Sequence, residues 1–539
     1  MARTAAVPAF IGWTAWQVQA GWLLRAHRVC HADPVLHRVT GFARVYSEGR
    51  IHAGGVSSSS VSRWETGRVP VTAAAVRRYE DVLGLSPHRL LAPIQTIARH
   101  EGGPTADLFL RGGEGTRPLE ASVATPEPLL DRVLDSGVLT GTDWDDLTRW
   151  AAYGSGRVSP GRVRHLVARR LLEETLVASG VSWMRRFEAL NRLLADPLWG
   201  PETIAACTEI AEQPEHAGLI EVVCALDASP HPDAGRGVLR QLTDPTTADT
   251  QYGALLAAAR KVRKHHFTAS QTRTLVEVVD GVLTGPRLTH SSSITEAATV
   301  LLHRLPLSAA YAARLTASAA EQGPTARSIV THGSIADPST AAVTVARVLA
   351  RLDDDTPAHP ADVLDALVDD LLHHPIADAR LYAAMMLNAS PYGARIAAAL
   401  AAELRRPETA RSEARAVPLL HALRVLGGPG QRARVAELTL APGLPKTVSI
   451  AAVHALAHIE GHSPESYWRA VFHQNLGAAH GAAEQHHVLK RLVYGFAMAG
   501  ELDLLMRLVA EQRPRAVRAA HFSQWWTSLD RHVRDSARH

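Results

Sequence analysis

Side chains that could recognise another molecule cluster in residues 56–67, which read Val-Ser-Ser-Ser-Ser-Val-Ser-Arg-Trp-Glu-Thr-Gly. Ser57 or Ser58 would cap the first turn of a helix, because a hydroxyl there accepts a hydrogen bond from a free backbone N–H. Gly67 stands where helices often end in a left-handed residue. The segment therefore predicts one short helix with a defined start and end.

The two sides of this helix differ in chemistry. Val61 and Trp64 are three residues apart and would share a buried face. The opposite side carries small hydroxyls and a guanidinium, and a guanidinium can bind a guanine edge with two hydrogen bonds in the major groove. The pattern favours contact with double-stranded DNA. The residues predicted to make it are Ser57, Ser58, Ser59, Ser60, Ser62, Arg63, Arg50 and Arg68.

Helices are also predicted on both sides of this segment. Upstream they cover residues 15–30 and about 34–46, where apolar residues recur at helical spacing. Downstream, Thr72 would cap a fourth helix that ends at Gly84, and a short fifth helix is expected at 88–91.

This order of helices closely resembles the phage-repressor-type helix-turn-helix family, also called Xre or Cro/CI. The resemblance rests on "VSRWETGRVPVTAAAVRRYEDVLGLSPHRLL" (61–91) and "GWLLRAHR" (21–28), and it covers about residues 13–92. It implies an all-α domain whose third helix reads the major groove, mainly from its N-terminal part. Base-side residues would then include Arg63, while Glu65 would orient basic groups near the end of the helix.

One segment departs from the family's pattern, because residues 47–55 make the junction between the second and third helices several residues longer than usual. Its glycines predict a flexible loop. Arg50 and His52 could contact the sugar-phosphate backbone from this loop; alternatively, the segment is a neutral surface insertion.

Charge is distributed unevenly along the 539 residues. Residues 1–100 hold 12 Arg and five acidic residues, a net charge of +7, whereas the remainder carries −3. A basic N-terminal region on a mildly acidic body is typical of phosphate contact by one domain. The chain has 53 Arg and only four Lys, a bias that suggests a GC-rich, actinobacterial genome and accounts for part of the arginine content.

Composition favours a large helical protein, since Ala and Leu dominate and 46% of the residues are hydrophobic. The three cysteines form no CxxC pair, which argues against a disulfide framework. No apolar run is long enough for a membrane span, and a cytoplasmic, nucleoid-associated protein is expected. Trp13 and Trp16 are read as an N-terminal extension that packs on the first domain.

Three regions are predicted. Residues 1–92 form the helix-turn-helix domain, 93–128 a Gly/Pro-containing linker, and 129–539 a helical-repeat domain. In the last region "DARLYAAMMLNAS" (378–390), "EARAVPLLHALRVLGG" (413–428) and "TVSIAAVHALAHIEG" (447–461) share a small-residue helix that ends in a turn. A helix pair every 33–40 residues resembles degenerate HEAT repeats in an α-solenoid. An irregular helical domain is the alternative.

Residues that could perform catalysis or bind a metal are not grouped in any recognisable motif. No Walker A, GxSxG, HExxH or GxGxxG pattern occurs, so no enzyme, cofactor, catalytic residue or metal is predicted. His454 and His458 have the i,i+4 spacing that a metal site would use, but packed histidines are the preferred interpretation. Trp525 and Trp526 are expected to seal the last repeat.

Two functions are consistent with these features. The first is a sequence-specific DNA-binding transcriptional regulator whose helical-repeat body forms a homodimer and binds a peptide, small-molecule or protein partner. The second is a HEAT-like interaction scaffold that the N-terminal domain tethers to DNA, as in plasmid maintenance or phage defence.

Overall fold

The computed structural model describes residues 16–48, 55–111, 127–153, 159–286, 291–352, 361–477, 482–512 and 516–538. Regular structure within these ranges consists of helices and contains no strand, which confirms the all-α prediction. No helix in these ranges combines the length and the hydropathy that a membrane crossing requires.

The chain divides into two units, and each unit combines two separate stretches of sequence. Unit 1 comprises residues 1–117 and 338–462, and unit 2 comprises residues 118–337 and 463–539. The sequence prediction of a single repeat domain over 129–539 therefore differs from the structure, in which residues 338–462 pack with the N-terminal region.

Each stretch of a unit is a consecutive series of helices. The first stretch of unit 1 contains α1 (Trp16–Val29), α2 (Pro34–His37), α3 (Val39–Ser47), α4 (Ser58–Glu65), α5 (Ala73–Val82), α6 (Leu91–Glu101) and α7 (Pro104–Leu110). The first stretch of unit 2 contains α8 (Glu127–Leu134), α9 (Gly141–Tyr153), α10 (Gly161–Val177), α11 (Gly180–Ala195), α12 (Gly200–Ala211), α13 (Leu219–Ala225), α14 (Pro232–Thr243), α15 (Ala248–Arg263), α16 (Ala269–Thr284), α17 (Ser292–Leu302), α18 (Ala309–Gln322) and α19 (Pro324–His332). The second stretch of unit 1 contains α20 (Pro338–Leu349), α21 (Ala361–His373), α22 (Ala377–Ala389), α23 (Gly393–Glu403), α24 (Pro407–Ala410), α25 (Glu413–Leu426), α26 (Pro429–Leu440) and α27 (Lys446–Leu456). The second stretch of unit 2 contains α28 (Glu465–Gly477), α29 (Ala482–Met498), α30 (Leu502–Glu511), α31 (Val517–Ser528) and α32 (Arg531–Ala537).

Two predicted helices in the N-terminal region have different boundaries in the structure. The helix predicted over 34–46 is divided into α2 and α3, because Arg38 between them is extended (φ −88°, ψ 130°). The helix predicted at 88–91 is wrong, since α6 begins only at Leu91. His88 has a left-handed φ of +66°, which a helix cannot include.

Glu80 of α5 determines where α6 begins. Its carboxylate accepts hydrogen bonds from the backbone N–H groups of His88 (3.0 Å), Leu90 (2.7 Å) and Leu91 (2.9 Å). These bonds satisfy N–H groups that the first turn of a helix leaves without partners. Burial raises the pKa of Glu80, and the three backbone bonds oppose that shift.

The linker predicted over 93–128 begins as helix. It contains most of α6 and all of α7, and residues 112–126 lie outside the described residues. α7 packs on α6, and the Phe109 ring lies 5.1 Å from the ring of Trp16. Trp16 is therefore the first residue of α1, and not part of an extension before it, and its ring packs on α7 within the predicted linker. Trp13 lies outside the described residues.

The N-terminal helices of unit 1 pack against α22 and the turn that follows it. His27 of α1 donates from Nε2 to the carbonyl oxygen of Ala389 (2.7 Å), and Arg89 donates to the carbonyl oxygen of Asn388 (2.6 Å). The ring of Trp22 lies 6.2 Å from that of Tyr392. These contacts join residues about 300 or more positions apart in the chain.

Alternate helices stack on one another in both units. In unit 2, α9, α11, α13, α15, α17 and α19 contact each other in succession, and so do α10, α12, α14, α16 and α18. In unit 1, α22, α25 and α27 form one such row, and α23 and α26 contact each other beside it. Glycines permit close approach within these rows: a Cβ on Gly253 of α15 would lie 2.7 Å from the carbonyl oxygen of Ile220 in α13.

Buried charges tie the first helices of unit 2 together. The Glu174 carboxylate of α10 accepts hydrogen bonds from Trp144 Nε1 (2.6 Å), Arg170 Nε (3.0 Å) and Arg186 Nε (3.1 Å). All four side chains are buried, so the carboxylate is paired with guanidinium groups from its own helix and from α11. This pairing is what allows a carboxylate to lie in the core.

We expect the His27 contact to make the stability of unit 1 depend on pH. Burial lowers the pKa of His27 to about 4, although the Ala389 hydrogen bond opposes the shift. The unfolded chain, with an imidazole pKa of about 6.5, binds more protons between these values. Stability is therefore complete above pH 6.5 and falls as the pH drops from about 6.5 to about 4.

The measurement is the urea unfolding midpoint of wild type and of His27→Gln, taken every half pH unit. Glutamine keeps an N–H that can donate to the Ala389 carbonyl but does not titrate. The difference in unfolding free energy should change by up to about 1 kcal/mol per pH unit below pH 6.5 and stay constant above it. Parallel pH profiles for the two proteins would contradict this interpretation.

Candidate nucleic-acid interface

Helix α4 carries most of the residues predicted to contact DNA, and a hydroxyl caps it as expected. Ser57 is the N-cap, and its Oγ accepts a hydrogen bond from the backbone N–H of Ser60 (3.1 Å). At the other end Gly67 adopts φ +67°. The start and the end predicted for this helix are therefore both confirmed.

One hydroxyl on α3 binds the chain on both sides of the long junction before α4. Ser47 Oγ donates to the Ala43 carbonyl oxygen (2.8 Å) and accepts a hydrogen bond from the backbone N–H of Val56 (2.9 Å). This hydroxyl therefore joins the described residues on either side of residues 49–54. Arg50 and His52 lie outside the described residues, and their predicted contact with the sugar-phosphate backbone stays a prediction.

The inner side of α4 packs on aromatic rings. Val61 is fully buried, and Trp64 is half-buried with its ring 6.0 Å from that of Tyr46 and 6.5 Å from that of Tyr79. Phe42 of α3 completes the group, 4.6 Å from the Tyr79 ring. The shared buried face predicted for Val61 and Trp64 is present.

A buried ion pair fixes α4 against α1. Arg28 Nε donates to Glu65 Oε1 (2.6 Å) and Arg28 Nη2 donates to Glu65 Oε2 (2.8 Å), so the guanidinium and the carboxylate meet in a two-bond fork. Only 4% and 3% of the two side chains are exposed. Such bidentate pairs are stronger and more directional than single hydrogen bonds.

Neighbouring groups complete this ion pair. Tyr79 donates from its hydroxyl to Glu65 Oε1 (3.3 Å), and Arg28 Nη1 donates to the carbonyl oxygens of Leu36 (3.3 Å) and His37. Burial, together with the adjacent Glu65 carboxylate, raises the pKa of Tyr79 well above its usual value, so the hydroxyl stays protonated and can donate. The network joins α1, α2, α4 and α5.

The sequence predicted that Glu65 orients basic groups near the end of α4, but it did not indicate which residue Glu65 binds. The partner is Arg28, 37 residues earlier in α1. The only sequence signal was an arginine in the last turn of the first helix, where it would also suit the helix dipole.

Two glycines allow α1 to pass close to the C-terminal end of α4. A Cβ on Gly21 would lie 2.5 Å from the Trp64 carbonyl oxygen, and a Cβ on Gly67 would lie 2.8 Å from Val18 Cα. Neither position has room for a side chain, and Gly67 also has the left-handed backbone that disfavours one.

The outer side of α4 holds the predicted contact residues on one exposed surface. Ser57, Ser59, Ser62 and Arg63 are exposed, Ser58 and Ser60 are half-buried, and Arg68 is exposed in the loop that follows. Arg63 donates from Nε to the Ser59 carbonyl oxygen at 3.4 Å, a long bond that leaves most of its guanidinium hydrogens available to a partner. We call this surface the serine–arginine face; it consists of Ser57, Ser58, Ser59, Ser60, Ser62, Arg63 and Arg68.

The neighbouring arginines have different surroundings. Arg78 of α5 donates to the carbonyl oxygens of Tyr46 (3.2 Å) and Glu48 (2.8 Å). These two hydrogen bonds join α5 to the C-terminal end of α3. Arg38 is exposed at the start of α3 and was not included among the predicted contact residues. It adds positive charge to the same domain.

The histidine pair singled out in the sequence lies elsewhere in unit 1. The rings of His454 and His458 are 5.7 Å apart and meet edge to face. Burial, with the charge of Arg424, lowers the pKa of His458 to about 3. Among the described residues, no group of three or more His, Cys, Asp or Glu side chains is placed to hold a metal ion.

Comparison of the chain with protein-family models, with curated proteins and with solved structures gave no match. The resemblance to the repressor-type family therefore rests on residues 21–28 and 61–91 alone.

Substitution at Gly67 should cost more stability than substitution at Gly84. Both residues have left-handed backbones (φ +67° and +61°), but a Cβ on Gly84 meets nothing within 4 Å. Alanine at Gly84 should therefore cost only the backbone strain, about 1–2 kcal/mol. Gly67→Ala should add at least about 1 kcal/mol, because the Val18 backbone must move. Urea unfolding compares the two variants, and equal losses would rule out the close approach.

Removing either partner of the buried ion pair should be strongly destabilising. Arg28→Met or Glu65→Gln leaves the other charge buried and uncompensated, at a cost of about 3–5 kcal/mol each. The double variant should lose less than the sum of the single losses, because neither charge then remains. Urea unfolding of the four proteins gives the coupling free energy, and additive losses would contradict the pairing.

Proposed function

We propose that this chain is a sequence-specific DNA-binding transcriptional regulator. In this proposal α1 to α6 form a repressor-type helix-turn-helix domain, and α4 enters the major groove. The observation that carries this proposal is the serine–arginine face. α4 exposes this face, while on its opposite side Val61 and Glu65 are buried and Trp64 is half-buried. A helix that is fixed on one side and presents hydrogen-bond donors on the other is what base reading requires.

Two further features support the proposal. The net charge of +7 over residues 1–100 would attract phosphate without regard to sequence. The N-terminal end of α4 also lies beside the exposed hydroxyls of Ser57 and Ser59, and a helix N-terminus favours phosphate oxygens. Charge would then supply affinity, and Arg63 would supply the preference for particular bases.

The rows of alternating helices are the basis for the rest of the proposal. In α-solenoids built from helix pairs, each helix typically contacts the helix two places further along the chain. We propose that these rows form a HEAT-like body that brings two copies of the chain together. A symmetric dimer would place two α4 helices on half-sites one helical turn apart.

The test is capture of genomic fragments by the purified full-length protein at about 150 mM salt, since phosphate contacts alone can capture DNA at low ionic strength. Wild type is compared with Arg63→Ala and with Arg415→Ala. Arg415 is exposed on α25 of the same unit, so its replacement removes the same charge far from α4 in sequence.

We expect a few sharp peaks that share an inverted repeat for wild type and for Arg415→Ala. Arg63→Ala should lose about 1–3 kcal/mol of affinity for that repeat and accept other bases at one position in each half-site. Diffuse capture that is equal for all three proteins would contradict base reading by α4. It would favour the second candidate, a scaffold that is tethered to DNA without sequence preference.

A further inference from the structure

Unit 2 contains a cavity of about 500 Å³. Its walls come from α8, α10, α12, α31 and α32 and from the turns beside them, so both stretches of unit 2 contribute. A volume of this size is within the range that holds small organic ligands.

The cavity has an apolar wall that is partly open to solvent. Leu134 and Leu166 line it, and both are among the large apolar side chains that the described chain exposes, at 46% and 47%. Trp525 and Leu529 contribute further apolar surface. Exposed apolar side chains around a concave site are typical of ligand-binding positions, because burying them against a ligand removes them from water.

Trp525 differs from its neighbour in a way that the sequence did not indicate. Both tryptophans were expected to seal the last repeat. Trp526 is buried (3% exposed), whereas Trp525 is half-buried, lines the cavity and lies 4.2 Å from the ring of His216. A flat ligand in the cavity would therefore meet an indole ring and an imidazole ring that already contact each other.

His216 supplies a directed polar group to this site. The side chain is 2% exposed and lines the cavity, and its Nδ1 accepts a hydrogen bond from the backbone N–H of Gly218 (3.1 Å). Its Nε2 is buried and has no hydrogen-bond partner within the described ranges. Buried polar atoms in native proteins usually bind a protein group, a water or a ligand, and because His216 lines the cavity its Nε2 is placed to bind a molecule that enters it.

The protonation state of His216 defines what that partner must be. Burial, together with the positive charges of Lys490 and Arg169, lowers the pKa of His216 to about 3, so the ring is neutral at pH 7. A neutral imidazole that accepts at Nδ1 carries its hydrogen on Nε2. The missing partner is therefore a hydrogen-bond acceptor.

The cavity lining carries both signs of charge: Arg169 and Arg170 lie in it together with the carboxylates of Glu173 and Asp530. Arg169 lines the cavity with 49% of its side chain exposed, and Glu173 and Glu209 lie 3.1 Å and 3.9 Å from it. The guanidinium retains N–H groups toward solvent, because these carboxylates occupy only part of its donor set. An oxygen that carries negative charge or a strong dipole would be attracted by both Arg169 and the His216 N–H.

We propose that this cavity binds a small planar molecule whose carboxylate or carbonyl oxygen accepts a hydrogen bond from His216 Nε2. The apolar body of that molecule packs against Leu166 and Trp525. This site goes beyond the proposed DNA binding and does not depend on it, since the whole cavity belongs to unit 2.

The experiment is isothermal titration calorimetry of the full-length protein with a fixed set of probes at pH 7.5. Three probes carry the acceptor on a flat body: 2-naphthoate, 2-naphthamide and indole-3-acetate. The fourth, 2-naphthylmethylammonium, has the same ring system and a cationic donor instead. At least one acceptor probe should bind with a Kd at or below about 1 mM, and the cationic probe should bind at least about tenfold more weakly.

Two variants locate the binding. His216→Asn keeps an oxygen that can accept from the Gly218 N–H but removes the Nε2–H donor, and it should weaken the acceptor probe at least about fivefold. Leu166→Glu places a negative charge at the exposed wall and should weaken 2-naphthoate or indole-3-acetate at least about tenfold. Its matched control is Leu198→Glu, because Leu198 is 40% exposed and is not part of the cavity lining.

Circular dichroism melting of each variant shows that it is folded before titration, and Leu166→Glu keeps the test valid if His216→Asn fails to fold. Loss of binding in Leu166→Glu with wild-type binding in Leu198→Glu supports the site. Absence of heat from all three acceptor probes would overturn the proposal. So would equal binding of the cationic probe, or binding that Leu166→Glu leaves unchanged.

Discussion

The position of α4 depends on one buried ion pair, between Arg28 and Glu65. Removing both charges from water is costly, and the cost is offset only where every donor and acceptor has a partner. In this pair the carboxylate receives two guanidinium bonds and the Tyr79 hydroxyl, while Arg28 also binds the carbonyl oxygens of Leu36 and His37. A small rotation of α4 would leave several of these groups unsatisfied. The ion pair therefore makes the exposed side of α4 as well defined as its buried side.

The sequence predicted the parts of this site that depend on neighbouring residues. A hydroxyl before an amphipathic segment caps it, and a glycine after it ends it, so α4 and its two sides were foreseeable. The start of α6 was not, because it depends on a Glu80 carboxylate that reaches N–H groups eight to eleven residues ahead. The Arg28 partner of Glu65 was also missed, since apolar periodicity carries no information about which distant charges meet.

The same reasoning explains how the body of the chain was predicted. The helical content predicted for residues 129–539 is present in both units, for example as α10, α11 and α16 in unit 2. Their existence follows from local periodicity. The grouping of residues 338–462 with the N-terminal region does not, because it rests on contacts such as those of His27 and Arg89 with the end of α22. Such contacts depend on surface complementarity between segments that have independent local patterns.

Unit 1 combines two stretches of sequence that are separated by 220 residues, 118–337. This separation affects the order in which its parts are synthesised. A chain emerges from the ribosome at about 5–20 residues per second. The N-terminal helices are therefore complete on the order of 15–60 s before Asn388 and Ala389 are synthesised. During this interval Trp22 and His27 lack the surface that covers them in the finished protein. Until that surface is made, the nascent chain exposes an aromatic side chain that the finished protein buries, and transiently exposed apolar surface of this kind is what chaperones bind.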